Sequence, residues 1–290
     1  MVADIAGLRS CSARGGPDEK GREAGNPPYA TTGMWEAIRA EARVQRDPLV
    51  RDLVRPAILD QPDFASALAF LLARKLGGDL VPRAAAFALI RDFQCSRPLA
   101  VDMAAADLVS IRERDPAATD HLIPLLFFKG FHAIQAYRLA HWLWQDDRRT
   151  LAQSVQSRVS ELFAVDIHPA ARLGQRIMFD HGTGIVVGET AVIEDDVALL
   201  QNVTLGGTGK EGGDRHPKIR RGALIGAGAK VLGNIEIGEG AKVGAGSVVL
   251  KSVEPFATVV GNPARVVGVR HEEFSSLTMD QTLPPLEYEI

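Results

Sequence analysis

The sequence predicts an α+β fold: an all-helical N-terminal domain followed by a left-handed parallel β-helix of hexapeptide repeats. Three observations carry this. Of the 28 glycines, 19 lie between Asp166 and Arg270. Of the 17 aromatic residues, only Phe179 and Phe256 fall there. Through the same stretch an aliphatic residue recurs every six positions, whereas the residues before it carry helical spacing and proline punctuation.

Residues 1–33 read as a flexible lead-in rich in Gly, Ser and Pro. Arg9, Arg14, Lys20 and Arg22 are balanced there by Asp4, Asp18, Glu19 and Glu23. The segment therefore looks neither like an acid-poor transit peptide nor like a secretory signal with an apolar centre. Residues 34–165 read as the helical domain. Phe64 to Leu76 carries apolar residues at helical spacing and stops at Gly77-Gly78. Gly130 to Trp144 reads as another amphipathic helix. Pro48, Pro62, Pro82, Pro98 and Pro116 stand at intervals suited to helix starts.

Residues 166–270 hold the repeat. Every sixth residue from Ile167 gives Leu173, Phe179, Ile185, Ala191, Val197 and Val203, and the phase resumes at Ile219, Ile225, Val231, Ile237, Val243 and Val249. Eleven of these thirteen are Val, Ile or Leu, where roughly a quarter would be expected by composition. Gly follows Ile225, Ile237 and Val243. Small residues (Ala171, Ala223, Ala229, Ala241, Ser247) recur four positions on. Each hexad is then a short strand plus a corner, and three make one triangular coil whose aliphatic residues stack inside the prism. The left hand is the one such repeats adopt and is not read from spacing. Between Val203 and Ile219 ten extra residues predict a protruding loop, Gly206 to Pro217, of the kind that often binds ligands. Residues 271–290 leave the repeat as a tail.

Composition excludes several function classes. With 33 Lys+Arg against 36 Asp+Glu the formal charge is −3, which argues against nucleic acid as a partner. The most apolar stretch, Leu122 to Trp144, is interrupted by Lys129, His132, Arg138 and His141, so no membrane span is expected. Cys11 and Cys95 are too few for a disulfide framework or a four-cysteine zinc site.

The stretches Asp166-Ile-His-Pro-Ala-Ala171, Asp180-His-Gly-Thr-Gly-Ile-Val-Val-Gly-Glu-Thr190, Val203-Thr-Leu-Gly-Gly-Thr-Gly209 and Gly213-Asp-Arg-His-Pro-Lys218 resemble the serine O-acetyltransferase family. In the helical part, Ala106-Asp107, Ile111 to Pro116 and Gly130 to Tyr137 resemble it too. One departure is Gly182, where the family often carries Ala. The resemblance implies acetyl transfer from acetyl-CoA to the hydroxyl of L-serine, opening cysteine synthesis, in the cytoplasm and without a metal. It implies His181 as the base and Asp166 as its orienting carboxylate. Chemically, a near-neutral imidazole suits that proton transfer, and a carboxylate fixes its tautomer. For a zwitterionic acceptor it implies Arg215 and His216 as carboxylate partners, with Asp107 and Asp180 as ammonium partners. It implies Gly207, Thr208, Ala227 and Ala245 along the acetyl-CoA path. A homotrimer, paired into a dimer of trimers, is implied as well. The aromatic group Phe127, Phe128, Trp142 and Trp144 fits that pairing and fits core packing equally. L-cysteine is implied as feedback inhibitor, and Ile290 as the residue that docks the tail in O-acetylserine sulfhydrylase.

Other readings are a hexapeptide acetyltransferase for a different hydroxyl or amine, a zinc carbonic anhydrase using His168, His181 and His216, and a scaffold solenoid. A charged clamp suits a zwitterion better than a neutral acceptor. A His/Asp pair has no use in a scaffold.

Overall fold

The computed structural model describes residues 31–78, 81–209, 212–269 and 274–283. Among the described residues eight α-helices precede the repeat: α1 (Thr31–Arg43), α2 (Pro48–Val54), α3 (Phe64–Leu76), α4 (Arg83–Ser96), α5 (Leu99–Arg114), α6 (Leu122–Phe127), α7 (Lys129–Gln145) and α8 (Arg149–Phe163). Helix α1 begins inside the segment read as a lead-in. Local chemistry sets the starts. Asp47 accepts N–H bonds from Leu49 and Val50 at 2.9 and 3.1 Å ahead of Pro48, and Asp63 caps Ser66 N at 2.7 Å. Pro82 and Pro98 stand at the caps of α4 and α5, whereas Pro116 follows the end of α5. Just past α2, Pro56 withdraws an N–H and the chain widens into a π-helical turn, Arg55–Leu59.

Helix α7 corrects the amphipathic reading. Almost its whole circumference is buried, His132, Gln135 and Arg138 included. It is the central helix of the domain, and Ala133, Ile134, Ala136 and Tyr137 also close the open end of the prism. Trp142 is buried in the helical core, with Phe128 and Trp144 packed against it, while Phe127 is 51% exposed.

Helix α8 stops at Ala164, which takes a left-handed φ of 54°, and the first strand begins at Val165. From there the chain winds a parallel β-solenoid of about five turns. The first face stacks Val165–Ile167, Ile185–Val187, Thr204–Gly206, Lys230–Leu232 and Val248–Val249. The second stacks Arg172–Leu173, Val192–Ile193, Lys218–Ile219 and Glu236–Ile237. The third stacks Met178–Phe179, Ala198–Leu199, Leu224–Ile225, Lys242–Val243 and Ala257–Gly261, edged by antiparallel Ala264–Val269. The inward side chains form one dry core.

Register refines the expected phase. Ile167 pairs with Val187, twenty positions on, not eighteen. The extra two residues lie in the turn Asp180 to Gly184. From there the stacked column runs through Val187, Ile193, Leu199 and Leu205. Ile185, Ala191, Val197 and Val203 sit two residues ahead of that column, also buried. Leu205 pairs with Val231, so the protruding loop adds eight residues to its coil, not ten.

Past the last coil the chain folds back. Phe274 stacks on Phe256 and fills the space over Gly222 and Gly240. Ser276 bonds Gly222 O and Asp196 O, Ser275 bonds Gly240 O, and the buried Lys242 ammonium donates to Asp280 O and Thr282 O.

Candidate functional site

The chemistry-bearing residues collect at two corners of the prism. The corner between third and first faces carries His181. Here the chain is forced outward: His181, Gly182 and Gly184 all have positive φ, 55°, 72° and 76°. Gly184 N–H donates to Ala164 O at 2.6 Å. Gly130, at the start of α7, approaches so closely that a Cβ there would lie 2.1 Å from Phe179 O. Lys129 hydrogen-bonds Thr183. The turn is thus clamped on both sides while the His181 side chain stays 71% exposed.

Asp180 flanks His181, with Oδ2 at 3.9 Å from Nε2. Burial pushes the Asp180 carboxyl up; His181 offsets part of this, and the charge of Asp115 adds to it. Asp115, at the C-terminal end of α5, lies near enough for its charge to act on Asp180, while its Oδ1 accepts from Ala117 N–H at 2.8 Å. Two carboxylates beside an exposed imidazole make a receptor for a cation.

Asp107 does not. It is fully buried. Its Oδ2 accepts from Arg138 at 2.6 Å and Gln135 at 2.9 Å, and its Oδ1 from Ile177 N–H at 3.0 Å. Both oxygens are engaged within the protein and neither reaches the surface, so the expected ligand stands as a strut joining α5 and α7 to the prism. Asp115 is the acid that sequence reasoning passed over, although it lay in the matched stretch Ile111 to Pro116.

Asp166 points outward from the first face, and its Oδ1 accepts from Gln156 Nε2 at 2.6 Å. No hydrogen bond or ion pair joins it to His181 in this form, so the structure brings the expected pair onto neighbouring segments without closing it.

The corner between first and second faces carries Arg215 and His216. Thr190 organises it: its Oγ1 accepts from Arg215 N and His216 N at 3.0 and 3.1 Å and donates to His216 Nδ1 at 2.9 Å. That leaves the proton of a neutral His216 on Nε2. The ring packs closely against Gly188, where a Cβ would be 2.0 Å from Cδ2. Burial, then Arg215, lowers the His216 pKa. Arg215 Nη2 donates to Glu189 at 2.7 Å, which holds the Glu189 carboxyl below its ordinary range. His168 stands close by, against Trp144, its pKa lowered by burial and raised in part by Glu189 and Asp166. Glu189 and Thr190 lie 26 positions before Arg215 and His216, the length of the enlarged coil, and that spacing was the available signal.

The four residues expected along acetyl-CoA divide the same way. Ala227 and Ala245 stack one coil apart at the His181 corner, where Gly246 N–H bonds Ala227 O at 2.8 Å. Gly207 and Thr208 lie at the Arg215 corner. Gly207 sits against Arg215, and Thr208 against Gly233. Each corner thus holds two of these four residues. Within one chain His181 stands at the first of these corners, whereas His168 and His216 stand at the second. Ile290 lies outside the described residues. Among the described residues no helix is long and apolar enough to cross a membrane.

Comparison with known proteins places this geometry. The family described as serine acetyltransferase, N-terminal, matches residues 34–136, and the bacterial transferase hexapeptide repeat matches residues 216–251. The serine acetyltransferase of Escherichia coli K12 is 53% identical over 250 residues, covering 86% of this chain and 92% of the relative. A solved serine acetyltransferase in complex with cysteine superposes with a TM-score of 0.86 at 48% identity, covering 88% of this chain and all of that one. The Brucella abortus serine acetyltransferase in complex with coenzyme A superposes with a TM-score of 0.81 at 48% identity, covering 82% and 96%.

Proposed function

The chain belongs to the serine acetyltransferase family, and we propose from that premise how its two corners share one reaction. The protein is an acetyl-CoA-dependent O-acyltransferase that moves acetyl to the hydroxyl of serine, giving O-acetylserine and CoA. In our reading, Asp180 and Asp115 receive the serine ammonium, and Arg215 and His216 receive its carboxylate. The hydroxyl is then presented to His181, which takes its proton as the oxygen attacks the thioester carbon. Collapse expels the CoA sulfur, which takes the proton back, and His181 returns neutral. Asp166 orients the ring and stabilises its charged form. Gly207, Thr208, Ala227 and Ala245 line the pantetheine path, their small side chains leaving room for it.

The observation that carries this reading is the split itself. A cation receptor and base stand at one corner, and an anion receptor stands at the next. A second copy, set corner to corner, completes the site, and three prisms arranged so close a symmetric trimer. The exposed Phe127 suits pairing of trimers through the helical domains. L-cysteine, an amino acid differing from serine at one atom, takes the same charged contacts and inhibits by occupying them. We assign the protein to the cytoplasm. Ile290 docks in the sulfhydrylase; its deletion abolishes that complex and spares catalysis, and unchanged binding in a titration refutes the assignment.

The test is free-thiol release from acetyl-CoA by purified protein, with and without L-serine, beside His181→Ala. Serine-dependent release that falls by about a hundredfold or more in the variant supports the base assignment. Release that persists at the wild-type rate removes it.

A further inference from the structure

The geometry points to Gln156 as a positioning residue for the reaction, acting through Asp166; the inference rests on the His181–Asp166 reading above. Asp166 lies between two inward residues, Val165 and Ile167, and projects from the first face. Its neighbour on that outward column is Val186, an apolar residue that offers no hydrogen bond. The strand therefore does nothing to choose among the rotamers of Asp166. Among the described residues, Gln156 is the hydrogen-bond donor to this carboxylate, at 2.6 Å.

The donor is itself well placed. Helix α8 turns into the strand through the single left-handed residue Ala164, so its last turns lie back over the first face. The same Ala164 carbonyl receives Gly184 N–H from the His181 turn. Helix, strand and turn thus meet at one residue, and a shift of α8 moves Asp166 and His181 together. Gln156 holds only Oδ1. Asp166 also borders a shallow, open polar depression with Gln153, Gln156, Ser157, Ser160 and Glu161, so the carboxylate is held on one side and open on the other.

The donor type also matters. An Arg or Lys at this position would fix the carboxylate equally well but would neutralise the charge that Asp166 supplies to an imidazolium. An amide donates without adding charge, so the carboxylate keeps its pull on His181.

The experiment is a double-mutant cycle on the full-length enzyme with Gln156→Met, Asp166→Ala and their combination, measured as kcat and KM for both substrates. Gln156→Met keeps the length of the side chain and removes the N–H. The expected result is a kcat about tenfold lower with both KM values within about twofold, a larger loss for Asp166→Ala, and a double variant no worse than Asp166→Ala. If Gln156→Met leaves kcat unchanged while Asp166→Ala lowers it, the role of Gln156 is overturned and the His181–Asp166 pair stands. If the two losses multiply, Gln156 does not act through Asp166 and the inference fails. If Asp166→Ala leaves kcat unchanged, the pair itself falls and the inference with it. Should Gln156→Met not fold, Gln156→Glu runs the same cycle: its carboxylate keeps the shape, cannot donate when ionised and repels Asp166.

Discussion

Replacing Asp107 by Asn separates a ligand from a strut. The substitution keeps the shape of the side chain and an acceptor for Ile177 N–H. It turns an NH₂ group toward two donors, Arg138 Nη2 and Gln135 Nε2, now 2.6 and 2.9 Å from an oxygen. Arg138 keeps its bond to Gly174 O at 3.0 Å but loses its counter-ion, with its side chain only 6% exposed. Removing one partner of a buried pair costs about 3–5 kcal/mol. At roughly 2–4 °C per kcal/mol for a domain of comparable size, Tm falls by about 10 °C. The assay is thermal unfolding beside steady-state kinetics on the same preparation, well below the transition. Serine KM should stay within about threefold of wild type, because Asp107 has no oxygen free to meet it. An unmoved Tm with serine KM raised tenfold or more would refute the reasoning and restore Asp107 to the substrate.

Three further predictions follow from the same geometry. Gly188→Ala places a methyl 2.0 Å from His216 Cδ2; the ring must leave its seat, and kcat/KM for serine should fall about tenfold or more, with wild-type values arguing against His216 as a carboxylate partner. Arg215→Lys replaces a planar fork by a point charge and should raise serine KM by about tenfold while acetyl-CoA KM holds; a change confined to acetyl-CoA would place Arg215 in the other site. Burial holds the His132 pKa down to about 3 from its ordinary 6.5. The folded state therefore binds fewer protons than the unfolded one below pH 6.5, and the contribution of His132, fully present above that pH, is lost as pH falls from 6.5 toward 3. At about 1.4 kcal/mol per pH unit, denaturant unfolding at pH 5 against pH 6.5 should show a loss of about 2 kcal/mol in wild type that His132→Leu lacks; equal slopes would contradict it.

Much of the architecture was legible because a solenoid repeats its constraint: an inward aliphatic residue every six positions is hard to produce otherwise. The slip at Asp180 to Gly184 was not legible. Ile185 and Val187 are both buried, and so are most of the small and aliphatic residues two places ahead of the later strand positions, so either phase reads as apolar. The character of α7 was hidden for a related reason. His132, Gln135 and Arg138 imitate a solvent face, and only the fold brings Leu125 O, Asp107 and Gly174 O to meet them. The same holds for the acids of the helical domain. Asp107 and Asp115 lie in adjacent matched stretches, but one falls inside α5 against α7 and the other just past its end, where its charge acts on Asp180. The residues Asp166, Asp180, His181, Arg215 and His216 were found by motif. That Asp180 and His181 stand at one corner, Arg215 and His216 at the next, and Asp166 on the face between them emerges only when the coils are wound.

The folded-back segment past the last coil has a mechanical meaning. A stack of repeats adheres coil to coil, so a pull on its free end would peel it one turn at a time. Here the end is stitched across three consecutive coils at once, through Asp196, Gly222 and Gly240, with the Lys242 ammonium as a further stitch. Tension transmitted through Leu283 is therefore shared among these bonds and the several coils that supply their acceptors. A pull at that end is thereby spread over several turns rather than concentrated on the last one.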